Sequence, residues 1–168
     1  MELLNQEKIT QEILTITLKS LDGQSFQLDV QSAKGSGYLN QQIIDHPSET
    51  EFYIPDVEGK ILKKIVEYLC HYKNKTAKEI PRPLHDSKIE KILEKWDYDF
   101  IMSFALVDCV DLLNAAASLE IHSLLKLMCA RIAAKMMEAP VDEVRNTFGI
   151  ECDMTEEEKA LFDDYQLY

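Results

Sequence analysis

The sequence predicts a mixed α/β fold in which a small strand-bearing N-terminal part precedes a helical second half. Three observations predict it. Two short segments, Leu14-Thr15-Ile16-Thr17-Leu18 and Phe26-Gln27-Leu28-Asp29-Val30, alternate apolar and polar residues, and period two marks a strand with one buried and one wet face. From Ile61 to Tyr72, apolar residues recur at helical spacing: Ile61, Leu62, Ile65, Val66, Leu69 and Tyr72. Beyond Val107 the chain consists of apolar, alanine- and leucine-rich stretches that the same period assigns to helices.

Taken in order, Asp22-Gly23 is a turn dipeptide between the two alternating segments, so an antiparallel hairpin is expected over roughly residues 13–30. Residues 33–45 predict a short helix whose start Gly35 and Gly37 weaken, and Gly35-Ser36-Gly37 reads as a flexible entry. Phe52-Tyr53-Ile54-Pro55 predicts a short strand stopped by proline. Residues 56–72 predict an amphipathic helix, with Lys60, Lys63, Lys64 and Glu67 between its apolar positions. Residues 73–95 read as a surface connection: they are rich in lysine, Pro81-Arg82-Pro83 forbids a continuous helix, and a short helical turn is expected near residues 89–93.

Helices are then expected over residues 107–119 and 123–137, the latter carrying Leu124, Leu125, Leu127, Met128, Ile132, Ala133 and Met136. Pro140 starts another, ended after Phe148 by Gly149. Thr155-Glu156-Glu157-Glu158 has the form of a capping box, and Leu161, Tyr165 and Tyr168 follow at i, i+4 and i+7 as an apolar stripe. Residues 151–168 hold seven acids and one lysine, a balance of −6 out of the chain's −12. So acidic a segment buries little by itself, and its stripe is expected to meet another polypeptide.

The same composition excludes several function classes. A net charge of −12 opposes phosphate neutralisation and docking on anionic membranes, so neither nucleic acid nor membrane is an expected partner. No apolar run approaches the roughly 20 residues of a membrane span, and the first residues do not read as a signal peptide. Cys70, Cys109, Cys129 and Cys152 are widely spaced and predict reduced thiols of a cytoplasmic or nuclear protein. Cys129 falls in an apolar helix, which predicts a buried thiol. His46, His71, His85 and His122 stand in no metal-binding pattern. Cys70 and His71 are adjacent and would diverge by about 100° on a helix. No metal, cofactor or catalytic residue is expected, and an unrelated small enzyme is the least supported reading.

Several blocks carry a family resemblance. Phe52-Tyr53-Ile54-Pro55-Asp56-Val57, followed by Gly59-Lys60-Ile61-Leu62-Lys63-Lys64-Ile65-Val66-Glu67-Tyr68, resembles V-P-L-P-N-V-x-x-x-I-L-K-K-V-I-E-Y of the Skp family. Trp96-Asp97-Tyr98-Asp99-Phe100 resembles its W-D-x-E-F, and residues 119–129 its L-D-I-K-x-L-L-D-L-T-C. Glu143-Val144-Arg145-Asn146-Thr147-Phe148-Gly149-Ile150 resembles E-I-R-K-T-F-N-I, and Met154-Thr155-Glu156-Glu157-Glu158 resembles F-T-x-E-E-E. Elongin C, a more distant relative, ends before the last two helices.

The resemblance implies a BTB/POZ domain over residues 13–137, a small three-stranded sheet covered by helices, and two C-terminal helices over 138–168 that bind an F-box. It implies a non-catalytic adaptor linking F-box substrate receptors to a cullin in an SCF-type ubiquitin ligase. By position the F-box side comprises Val144, Phe148, Ile150, Leu161, Tyr165 and Tyr168, although Val144 and Phe148 equally suit ordinary core packing. The cullin-facing position of the family's A-A-N-Y-L holds Ala115-Ala116-Ala117-Ser118-Leu119 here. Ala117 and Ser118 thus replace an Asn-Tyr pair, and an aromatic anchor can contribute ~2 kcal/mol to an interface. That replacement motivates a second reading, a structural Skp-like protein that binds an F-box-like partner without a cullin. The 102–107 loop is one residue longer than the family's, Tyr168 stands where the family has a Trp, and Glu156 stands at the position of its modifiable proline. BTB domains often pair, so weak homodimerisation stays open.

Overall fold

The computed structural model describes residues 15–151 and 153–165, with side chains through residue 161. Strand β1 (Thr15–Lys19) buries Ile16 and Leu18 and turns Thr15, Thr17 and Lys19 outward, which is the alternation expected of it. It pairs antiparallel with β2 (Ser25–Asp29), with Ile16 opposite Leu28 and Leu18 opposite Phe26. Ile13 and Leu14, at the expected hairpin's start, lie outside the described residues. In the connecting turn Gly23 has φ +77°, and the Ser20 hydroxyl donates to Asp22 at 2.6 Å. Asp22 also accepts from the Gly59 N–H at 2.8 Å, which ties this turn to the start of a helix far along the chain.

The second strand stops one residue short of the expected end. Asp29, the last residue of the ladder and opposite Thr15, is also a helix cap: its carboxylate accepts from the Ser32 N–H at 3.0 Å and the Ser32 hydroxyl at 2.6 Å. Val30 therefore begins the one-turn helix α1 (Val30–Ala33). Helix α2 (Gly37–Asp45) starts later than the 33–45 expectation, because Ser36 caps it by accepting from the Leu39 N–H at 3.1 Å. The Gly35-Ser36-Gly37 entry is anchored by a distant contact. The fully buried Ser36 hydroxyl donates to the Leu119 carbonyl at 2.5 Å, and a Cβ on Gly37 would come within 3.0 Å of the Glu120 Cβ.

Strand β3 (Glu51–Tyr53) ends ahead of Pro55 and pairs parallel to β1, with Phe52 opposite Leu18. The sheet order is β2-β1-β3, with β1 central. Helix α3 (Gly59–His71) buries Ile61, Leu62, Ile65, Tyr68 and Leu69, largely the stripe read from the sequence. It lies against β2 and against the later helix Leu106–Ser118. Residues 73–88 hold no helix or strand, and a single 3₁₀ turn, Ile89–Lys91, stands where a short helix was expected.

Helix α4 (Lys95–Met102) follows, then α5 (Leu106–Ser118) and α6 (His122–Glu138), which pack on one another. Leu112, Ala116, Leu124 and Met128 are fully buried. Truncating such a leucine to alanine in a close-packed interior costs about 2–5 kcal/mol. Helices α7 (Val141–Phe148) and α8 (Glu156–Tyr165) complete the described chain. Among the described residues, a small three-stranded sheet with eight α-helices is the α/β arrangement expected of a POZ-type fold with C-terminal helices.

Two sequence expectations are corrected. Cys129 is exposed, because the buried face of α6 carries Met128 rather than Cys129; among the described cysteines the buried thiol is Cys109 of α5. Met136, expected on the packed stripe of α6, is 51% exposed, since the core face of the helix ends at Ala134. Cys152 lies outside the described residues.

Candidate partner-binding surfaces

The C-terminal end is assembled by local rules. Ala139 is extended and ends α6, and Pro140, at φ −55° and ψ 150°, precedes the first turn of α7. Asp142 and Glu143 sit at the positive end of α7's dipole, and Glu143 pairs with Lys135, tethering α7 to α6. The helix closes at Gly149, whose φ of +63° is a left-handed cap conformation, and the Ile150 N–H donates back to the Arg145 carbonyl at 2.9 Å. Arg145 also reaches the Met154 sulfur at 3.1 Å, bracing the linker toward α8.

The capping box read from the sequence is present. The Thr155 N–H donates to Glu158 Oε2 at 2.8 Å, and the Glu158 N–H donates to the Thr155 hydroxyl at 3.3 Å. The bonds from Thr155 hold the Glu158 carboxyl below the usual carboxylate range.

No residue of α7 is buried. Val144 and Phe148 are half-buried, Ile150 is 52% exposed and Leu161 is 61% exposed. Val144 and Phe148 therefore do not belong to the core. The side chain of Tyr165 and the whole of Tyr168 lie outside the described residues. Sequence reasoning missed three neighbours: Met136, Met137 and Val141 have no surface role in it, yet all three are exposed at the α6–α7 joint. A Met-Met pair at a helix end just before a proline was the available signal, because methionines suit adaptable contact surfaces.

Ala117 and Ser118 are exposed at the end of α5. Ser118 lines a cavity of about 260 Å³ whose walls include Leu21, Val57, Ile61 and Asp111. Nearby, Lys60 pairs with Asp108 at 3.1 Å.

His71 stacks on the Trp96 ring, with centroids 3.6 Å apart and planes 8° from parallel. Among the described residues no group of three His, Cys, Asp or Glu is placed to hold a metal ion. Among them, too, no single helix is long and apolar enough to cross a membrane.

Comparison with known proteins agrees with the architecture. Residues 14–74 match the tetramerisation domain of the Skp1 family, and residues 122–163 match its dimerisation domain. An S-phase kinase-associated protein 1 homolog of Tetrahymena thermophila is 36% identical over 145 residues, covering 86% of this chain and 87% of that protein. SKP1-like protein 10 of Arabidopsis thaliana is 34% identical over 144 residues, covering 86% and 89% respectively. SKP1-like protein 9 of the same plant is 36% identical over 150 residues, covering 86% and 90%. A sheet-and-helix domain ending in two partly uncovered helices, with relatives matched along most of their length, shows that this chain belongs to the Skp1 family, a family of adaptor proteins.

Proposed function

We propose that the chain is a non-catalytic adaptor that holds an F-box protein on its C-terminal helices and joins it to a cullin in an SCF-type ubiquitin ligase. The observation that carries this reading is the set of apolar side chains left uncovered from Met136 to Leu161, on helices of which α7 buries nothing. Exposed apolar surface of this kind marks an interaction site. An apolar helical partner laid over Val144, Phe148, Ile150 and Leu161 would cover it, and Tyr165 and Tyr168 would extend the same stripe. The mechanism is geometric: one rigid domain holds two proteins at a set separation and so raises the effective concentration of one near the other.

The test is a pull-down with recombinant F-box domains and a cullin N-terminal region, using the full chain and a truncation lacking residues 151–168. Retention of an F-box domain by the full chain and its loss on truncation is the expected result. Equal retention by both, or by neither, overturns the reading.

A second reading, an assembly with an F-box-like partner and no cullin, is favoured by one observation. The exposed Ala117 and Ser118 offer no aromatic anchor, and Ser118 borders an open cavity. Micromolar or tighter binding of the cullin region by the full chain removes it. The free thiols Cys70, Cys109 and Cys129 support residence in the reducing cytoplasm and nucleus, which imaging of a fluorescent fusion checks.

A further inference from the structure

Helices α7 and α8 carry the partner surface without being packed into the core. Neither has a broad packing face on another element among the described residues, and no residue of α7 is buried. How α8 stands to α7 therefore depends on the joint between them. The joint opens at Gly149, in its left-handed conformation, where the Ile150 N–H donates to the Arg145 carbonyl at 2.9 Å. Glu151 and Asp153 are exposed along it. On its far side the Arg145 guanidinium returns to the chain: Nη2 donates to Met154 Sδ at 3.1 Å, while Nη1 lies 3.5 Å from Asp142 Oδ1. Thr155, the next residue, caps α8. One residue thus holds both ends of the joint, by its carbonyl at the close of α7 and by its side chain one position ahead of the α8 cap.

The Arg145 side chain is 24% exposed, so its bond to Met154 is partly sheltered from water. A thioether is a weak acceptor, and the charge on the donor strengthens the bond. Such a bond adds little to the stability of the fold. It does select one orientation of α8 from those the joint allows.

We infer, on the reading of the C-terminal end as a partner surface, that Arg145 is the positioning residue of that surface. By gripping Met154 it fixes α8 against α7, so that Leu161 is presented in register with Val144 and Phe148 before the partner arrives. The grip is particular to this chain, because the Skp-family pattern has Phe where Met154 stands, and a phenyl ring carries no lone pair. A surface ordered in advance binds more tightly, since less freedom is lost on association. Without the grip only a fraction of the molecules is competent, and affinity falls by that fraction.

The first measurement needs no partner. Residual dipolar couplings of the full wild-type chain should fit α7 and α8 to a single alignment tensor. Arg145→Met removes the donor and Met154→Leu the acceptor, each keeping apolar bulk, and in both the α8 couplings should shrink relative to those of α3. Met154→Gln offers a carbonyl acceptor and should restore them. The second measurement is the binding kinetics of the F-box domain that the wild-type chain retains in the pull-down. Either variant should lower kon about fivefold, as the competent fraction falls, and leave koff within about twofold. The double variant should lose no more than either single one. A residue that touched the partner directly would raise koff instead.

Unchanged α8 couplings in Arg145→Met, a silent Met154→Leu, additive losses in the double variant, or a loss confined to koff each overturn this inference and leave the adaptor reading standing. Failure of the wild-type chain to retain any F-box domain overturns both. Should Arg145→Met melt more than about 4 °C below wild type, Met154→Leu, which leaves the charge in place, decides by the same two readouts.

Discussion

The Tyr72 hydroxyl donates a 2.7 Å hydrogen bond to Oδ1 of Asp97, joining the end of α3 to the first turn of α4. Asp97 is 5% exposed and sits among the rings of Tyr68, Tyr72, Trp96 and Phe100, which pack with centroids 4.7 to 6.1 Å apart. Burial pushes its carboxyl above the ordinary carboxylate value. The Tyr72 bond opposes that push, Glu94 adds to it, and His71 opposes it further.

Tyr72→Phe therefore removes the one described donor to a buried carboxylate. A loss of about 1–3 kcal/mol is expected by chemical denaturation at neutral pH. Asp97→Asn keeps the acceptor and discards the charge, so it should cost less. The sign of the pH dependence follows from the raised folded pKa. The native state holds the proton more tightly than the unfolded chain, so Asp97's contribution is fully present below the unfolded value of 3.8 and is lost as pH rises through the folded one. Asp97→Asn should abolish that component, and an unaltered pH–stability curve would contradict the assignment.

Trp96 is the chain's one tryptophan and lies face to face with His71, so its fluorescence should follow the imidazole's charge. Burial lowers the His71 pKa and Lys75 lowers it further, while Asp97 and Glu94 oppose them. A depressed pKa means that the neutral ring is favoured on folding. Its contribution is present above 6.5 and fades as pH falls through the folded value. The expected observation is a fluorescence transition with a midpoint below 6.5 that vanishes in His71→Gln.

At the other end of the α7 cap, Gly149→Ala places a Cβ on a residue with φ +63°. Space is not the obstacle, since no atom lies within 4 Å of that Cβ; the backbone conformation is. A cost of about 1 kcal/mol confined to α7 is expected. Amide exchange should speed up around residues 141–150 while the sheet and α3 stay protected, and the affinity for a helical partner should drop with it.

Acid should release the cap of α1. Burial alone would raise the Asp29 carboxyl, but the Ser32 hydroxyl and N–H and the Lys73 ammonium outweigh it and bring it down to about 2. The stability it supplies is present above the unfolded value of 3.8 and disappears as pH falls toward 2. Asp29 is partly open to solvent, so the contribution is about 1 kcal/mol once screening is discounted. Asp29→Ala should lose both the cap and the Lys73 pair, lower stability by about 1–2 kcal/mol at neutral pH, and flatten the curve between pH 4 and pH 2.

Much of the molecule was legible before any coordinates. Ile16, Leu18 and Leu28 alternate because a pleat has period two, and the α3 stripe repeats because a helix turns every 3.6 residues. Thr155 and Glu158 close a capping box within four residues of chain. The uncovered position of Leu161 followed from an acidic segment too poor in apolar surface to bury its own stripe. The resemblance to the Skp family placed these pieces in a known order, and the relatives agree with it.

What the sequence determined by itself is whatever depends on neighbours a few residues apart: the hairpin, the amphipathic helices, and the caps at Gly149 and Thr155. Tertiary structure decided which side of α6 met the core, burying Met128 and leaving Cys129 outside, and enclosed Cys109 on α5. It also decided that Ser36 would hold the Leu119 carbonyl 83 residues away, and that Arg131 would be enclosed with one donor unmet. Backbone preference is a local property of the chain, whereas burial is conferred by residues that only folding brings near.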